Sequence, residues 1–137
     1  MPRLSVWLIR SALCYLGTGV LAGAVLLVNR GAFLGDWVGH LRPIHIEFLL
    51  IGWTLQLALG VAFWILPRFR AVSERGREGF VWLSYVLLNA GVLAVALGQA
   101  FGLPPAVLLL GHIAEALAAA VFALHAWPRT KAFGAAG

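Results

Sequence analysis

The chain reads as an all-α integral membrane protein, a four-helix bundle built as a single domain over residues 1–137. Three observations lead there. The composition is 62% hydrophobic and 11% charged, where a soluble domain of this size is near half apolar and a quarter charged. Apolar runs of about twenty residues, the length that crosses the hydrocarbon layer as a helix, occur four times. The basic residues fall between those runs, as membrane topology requires. That placement accounts for the net charge of +5 without a nucleic-acid partner.

The first span is expected over residues 5–29, with Arg10 able to snorkel. Its apolar run is too long for a signal peptide, and no small-residue cleavage site precedes Arg30, so it is expected to remain as a span. In its "GTGVLAG", Gly19 and Gly23 are four apart, a helix-packing spacing. The second span is expected over 44–66, ending at "WILPRFR". Asp36 in "GDWV" is a good N-cap and favours a start near residue 37. Pro43 then falls in the early turns and costs a bond to the residue-39 carbonyl. The third span covers about 80–101, where Asn89, Gly91 and Gly98 suit packing. The fourth covers about 105–127, opened by Pro104–Pro105 and closed by "WPRTK". The "GLPP" connection makes the last two spans antiparallel neighbours, and "RFRAVSERGREG" is expected as a cytoplasmic hairpin turn. In lipid every backbone group must be paired internally, which leaves a helical bundle.

Orientation follows from charge. Arg3, Arg10, Arg68, Arg70, Arg75, Arg77, Arg129 and Lys131 fall on one side, Arg30 and Arg42 on the other. Both termini are therefore expected to be cytoplasmic. Arginine in place of lysine suggests a GC-rich bacterial genome, hence a bacterial inner membrane. The single cysteine, Cys14, allows no internal disulfide and no Cys-x-x-Cys-His heme attachment. The tryptophans cluster near span ends as interface anchors, except Trp53, which is mid-span and either core or a heme wall.

Ionisable residues inside spans are functional candidates by default. Here they are His45, Glu47, His112, Glu115 and, near the inner edge, His125. His45 and His112 both belong to the outer half. His125 is about 220° around the helix from His112 and is expected at the interface. One face of the second span runs His45, Leu49, Gly52, Gln56, Phe63; Glu47, about 200° from His45, points elsewhere, toward Thr54. Glu115 shares a face with His112. Two neutral imidazoles facing one another across a bundle are a common way to hold a b-type heme, with Arg42 one turn outward for the propionates. The same residues also suit interhelical hydrogen bonds from His45 to Glu115 or Gln56 that only orient the helices.

"LRPIH", followed by "GW" and the "ILPR" end, resembles the second helix of the catalytic subunit of C-family heme–copper oxidases and nitric oxide reductases. The match covers about 25 residues, Leu41 to Arg68. The resemblance implies that His45 is an axial ligand of a low-spin heme b and Arg42 a propionate partner. It departs from the family at His40, where arginine is usual, and at Ile46 and Glu47, where a small polar residue and Asn are common. The family's second ligand lies on a helix absent from this chain, and His112 in "GHIAEAL" is its substitute by position. Gly52, Gln56 and Trp53 would line the cofactor, with Glu115 behind His112. Four histidines cannot supply an oxygen-reducing binuclear centre as well, so no catalytic residue is assigned.

The leading expectation is thus a membrane cytochrome b for electron transfer, or for redox or gas sensing if one ligand is labile. The alternatives are a non-heme copper or zinc site from His45, Glu47, His112 and Glu115, and a cofactor-free assembly or structural subunit of a respiratory complex. A homodimer is expected, because four spans offer little interior for a heme.

Overall fold

The computed structural model describes residues 1–66 and 78–130. These form four long helices: Arg3–Gly31, Asp36–Ile65, Glu78–Ala100 and Pro105–Arg129. All four are long and apolar enough to cross a membrane. Most of the expected cytoplasmic hairpin, with Arg68, Arg70, Arg75 and Arg77, lies outside the described residues, as does Lys131.

The second span is the irregular one. It opens as a 3-10 turn over Asp36–His40 and continues as α-helix over Leu41–Glu47, π-helix over Phe48–Leu55 and α-helix over Gln56–Ile65. The long form of this helix is therefore the one adopted, with one difference. Gly35 holds the cap position at φ 140°, and Asp36 stands in the first turn, where its charge complements the helix dipole. Asn29 makes this entry tight, its Oδ1 accepting from the Leu34 and Gly35 N–H groups at 2.7 and 3.3 Å. The expected cost at Pro43 is relieved locally: the Leu41 N–H bonds to the Gly39 and Val38 carbonyls, and Pro43 falls in the first α-turn, where its missing donor matters little. In the π segment the Thr54 hydroxyl donates to the carbonyl of Leu49, five residues back, at 2.8 Å. The span ends when Leu66 turns extended, as a residue before proline does.

The third and fourth spans meet through a tight connection. Gly102, at φ 64°, follows the third helix, and the Leu103 N–H bonds back to the Gly98 carbonyl at 2.8 Å, a Schellman closure. Pro104 and Pro105 then start the fourth helix, where a missing N–H is harmless.

The first span packs along the whole second, and the third along the fourth. The third is the central helix: 39% of its most apolar window is inside, against 17–22% for the others. All four converge at the end that carries both described termini, where Leu4, Leu8, Phe63, Val81 and Phe122 form the core. Side chains tie the first span to the third there. Ser11 Oγ and Tyr85 OH are 2.9 Å apart, and Tyr15 donates to Asn89 Oδ1 at 3.0 Å. Arg129 donates to the Leu66 carbonyl at 2.8 Å, stacking over Phe63 at 5.4 Å, and so pins the fourth span to the second.

Candidate functional site

The small residues expected as packing seams are used as such. Gly19 admits the Leu49 side chain, while Gly23 faces the imidazole of His45 so closely that a methyl there would fall 2.5 Å from Cε1. His45 thus lies in the seam between the first and second spans. Its Nδ1 donates to the Gly19 carbonyl at 2.8 Å. A carbonyl can only accept, so Nδ1 carries the hydrogen and, in the neutral ring, Nε2 keeps the lone pair.

The face that runs from His45 is one face, and it is turned to the first span. Gly52 makes room for the Tyr15 ring, 2.7 Å from where its Cβ would be. Gln56 is fully buried, with Nε2 donating to the Leu8 carbonyl at 3.4 Å. Trp53 is half-buried, outside the core cluster, and Arg42 is exposed. In one chain, Gly52 and Gln56 therefore serve the packing of the first two spans.

His112 is placed otherwise. Its side chain is 55% exposed, and its Nδ1 lies 3.1 Å from Glu115 Oε2, the expected contact behind the ring. The imidazoles of His45 and His112 serve different neighbours: His45 the first span, His112 its own helix. Glu47 departs from His45 as its helical phase requires, but its partner is not Thr54. Its carboxyl comes within hydrogen-bonding reach of Glu115 on the fourth span. Thr54 is exposed and bonds to its own helix. The sequence places Glu47 and Glu115 together only as co-ligands in the copper or zinc alternative; that they are the acidic residues in the interior of the spans is the signal that pairs them directly. The Oε1 atoms of both are buried without a hydrogen-bond partner.

Glycine again shapes this meeting. A Cβ on Gly91 would fall 2.7 Å from Glu115 Cγ and 2.8 Å from the Gly111 carbonyl, so only glycine lets the Glu115 stem cross the third span. His125, near the end of the fourth span, is buried in the bundle, its ring 5.9 Å from Phe63 and its Nε2 accepting from Arg129 at 3.5 Å. The inward bend of the Arg129 side chain draws it into the bundle end.

At the opposite end, Trp37, His40, Leu41, Ile44, Ala100 and Phe101 border an open apolar pocket of about 600 Å³, the size of a small-ligand site. His40 Nδ1 donates to the Ala100 carbonyl at 2.6 Å and joins the second span to the third. Among the described residues, no three His, Cys, Asp or Glu side chains converge as a metal cage. Comparison of the chain with protein-family models, with curated proteins and with solved structures returns no match.

Proposed function

We propose that the chain is a b-type heme-binding protein of a bacterial inner membrane, with cytoplasmic termini, that resembles the low-spin heme part of heme–copper oxidase subunit I. One observation carries the reading: the Nδ1–H of His45 is committed to the Gly19 carbonyl, which fixes the tautomer and leaves Nε2 for iron, the usual support for a ligating histidine. The donor chemistry fits. His45 would hold the iron, Arg42 would meet the propionates near the water interface, and the heme would supply a one-electron couple. Electron transfer is the natural role of a six-coordinate iron; a labile sixth ligand turns the same site to gas sensing.

The second ligand comes from outside the chain in this reading. His112 is 55% exposed on an apolar span, a costly position for a polar group facing lipid, and a second copy that brings its His112 to the heme removes that cost. The protein is then a homodimer.

A cofactor-free assembly or structural subunit of a respiratory complex is the second reading. It is favoured by Gly52, expected beside the cofactor, whose open side is filled by the Tyr15 ring of the same chain. A copper or zinc site draws no support from the described side chains. Purification in mild detergent, with an absorption spectrum and metal analysis on one sample, separates the three. A Soret band with stoichiometric iron is expected. Colourless protein carrying copper or zinc, or no metal at all, would replace the heme reading with the corresponding alternative.

A further inference from the structure

We propose that the apolar pocket at the end of the bundle away from the termini binds a lipid-borne hydroquinone, with Nε2 of His40 accepting from a ring hydroxyl. The pocket holds about 600 Å³, within the range of small-ligand sites. It lies where the second span begins, at Asp36, and the third ends, at Ala100. Apolar spans end where the hydrocarbon layer meets water. A ligand seated here keeps its tail in lipid and a polar ring at the boundary, the level that amphipathic rings prefer.

The lining selects the headgroup. His40 Nδ1 donates to the Ala100 carbonyl at 2.6 Å, so Nδ1 carries the hydrogen. In the neutral ring Nε2 then presents a lone pair, and among the described residues nothing pairs with it. The bond that sets this tautomer also joins two spans, which makes the acceptor part of the fold. Trp37 and Phe101, 58% and 75% exposed, border the same pocket. The Trp37 ring is seated by the turn before it: its Cδ1 lies 2.8 Å from where a Cβ on Gly35 would be, and Gly35 has φ 140°. Phe101 stands in the turn that Gly102 and the Leu103–Gly98 bond close. Leu41 and Ile44 complete an apolar wall.

A lone pair in an apolar cavity rejects headgroups that only accept, because both oxygens and nitrogen would then lie unpaired. Phosphate esters and quinone carbonyls are of that kind. An O–H donor satisfies it, and two exposed aromatic rings favour a flat aromatic carrier of that donor. A hydroquinone on an apolar tail joins these properties, and Gln99 in the lining offers an amide to its second hydroxyl. The site stands whether or not the chain binds heme, since none of its lining residues is a proposed iron ligand.

Isothermal titration calorimetry of the full chain in lipid nanodiscs tests this. Decylhydroquinone is the probe, dithionite keeps it reduced, and empty nanodiscs correct for partition into lipid. Wild type is expected to bind it saturably. The dimethyl ether of the probe keeps ring and tail without a donor, and is expected to bind about ten-fold more weakly, the effect of one hydrogen bond. Decanol, a donor without a ring, is expected to bind more weakly as well. His40→Asn puts an amide nitrogen where Nδ1 stands, so the bond to Ala100 is kept and only the Nε2 acceptor is lost. In that variant hydroquinone and ether should bind equally. Phe101→Ala, at an exposed position, should weaken both several-fold, with the helical circular dichroism of each variant unchanged. Heat no greater than that of empty nanodiscs would overturn the site. So would an ether or decanol that binds wild type as tightly as the hydroquinone, or a preference for hydroquinone that survives in His40→Asn.

Discussion

The imidazole of His45 occupies the volume that a methyl group on Gly23 would need. Gly19 supplies the carbonyl that fixes its tautomer. These two residues decide what His45 can do. Gly23→Ala must push the ring out of the seam, so a loss of most bound heme with helix content retained is expected, read by pyridine hemochrome assay and circular dichroism. Gly17 faces open space, and Gly17→Ala should leave heme content unchanged and raise stability by about 0.5–1 kcal/mol through helix propensity. Sequence periodicity was sufficient for the face His45–Gly52–Gln56–Phe63 and for the divergence of Glu47, because both depend only on helical phase. It could not say which helix that face meets. The four-residue spacing of Gly19 and Gly23 marks a seam without naming the side chain that fills it.

At the scale of elements, the second span carries the structure's irregularity and the third its centrality. The start near Asp36 was legible from the turn residues of "GDWV", and the ends from Pro67 and the paired prolines 104 and 105. The 3-10 opening and the π segment were not, because apolar residues on every side of the helix hide a local change of pitch around Pro43, Gly52 and Thr54. The third–fourth seam rests on a close backbone approach at Gly91 and Gly111. Gly91→Ala drives a methyl against the Gly111 backbone carbonyl, whereas Gly98→Ala meets the movable end of Leu108. Thermal unfolding in detergent should show Gly91→Ala destabilised by about 1–3 kcal/mol, the usual range for overpacking, and Gly98→Ala by less. Equal effects would contradict the seam as described.

At the scale of the whole molecule, the four-span class was legible from composition together with the four apolar runs, since lipid demands long apolar helices and admits few other solutions. The helix neighbours were not legible, because the outward faces are as apolar as the inward ones: Leu21, Leu27, Leu50, Leu110 and Leu124 are all 60% or more exposed. Against this apolar exterior, the exposed His112 and Arg42 stand out. A dimer that covers His112 follows from the heme reading, and cross-linking in native membranes should give a two-chain product that weakens in His112→Ala. A monomer that keeps its full heme complement would rule that arrangement out.

The most direct measurement is the absorption spectrum of purified wild type beside His45→Ala, with heme supplied during expression. Ligation of heme iron by His45 predicts a Soret band in wild type that is lost in His45→Ala while the helical circular dichroism is unchanged. A wild-type spectrum without a Soret band, or an undiminished band in His45→Ala, would contradict it.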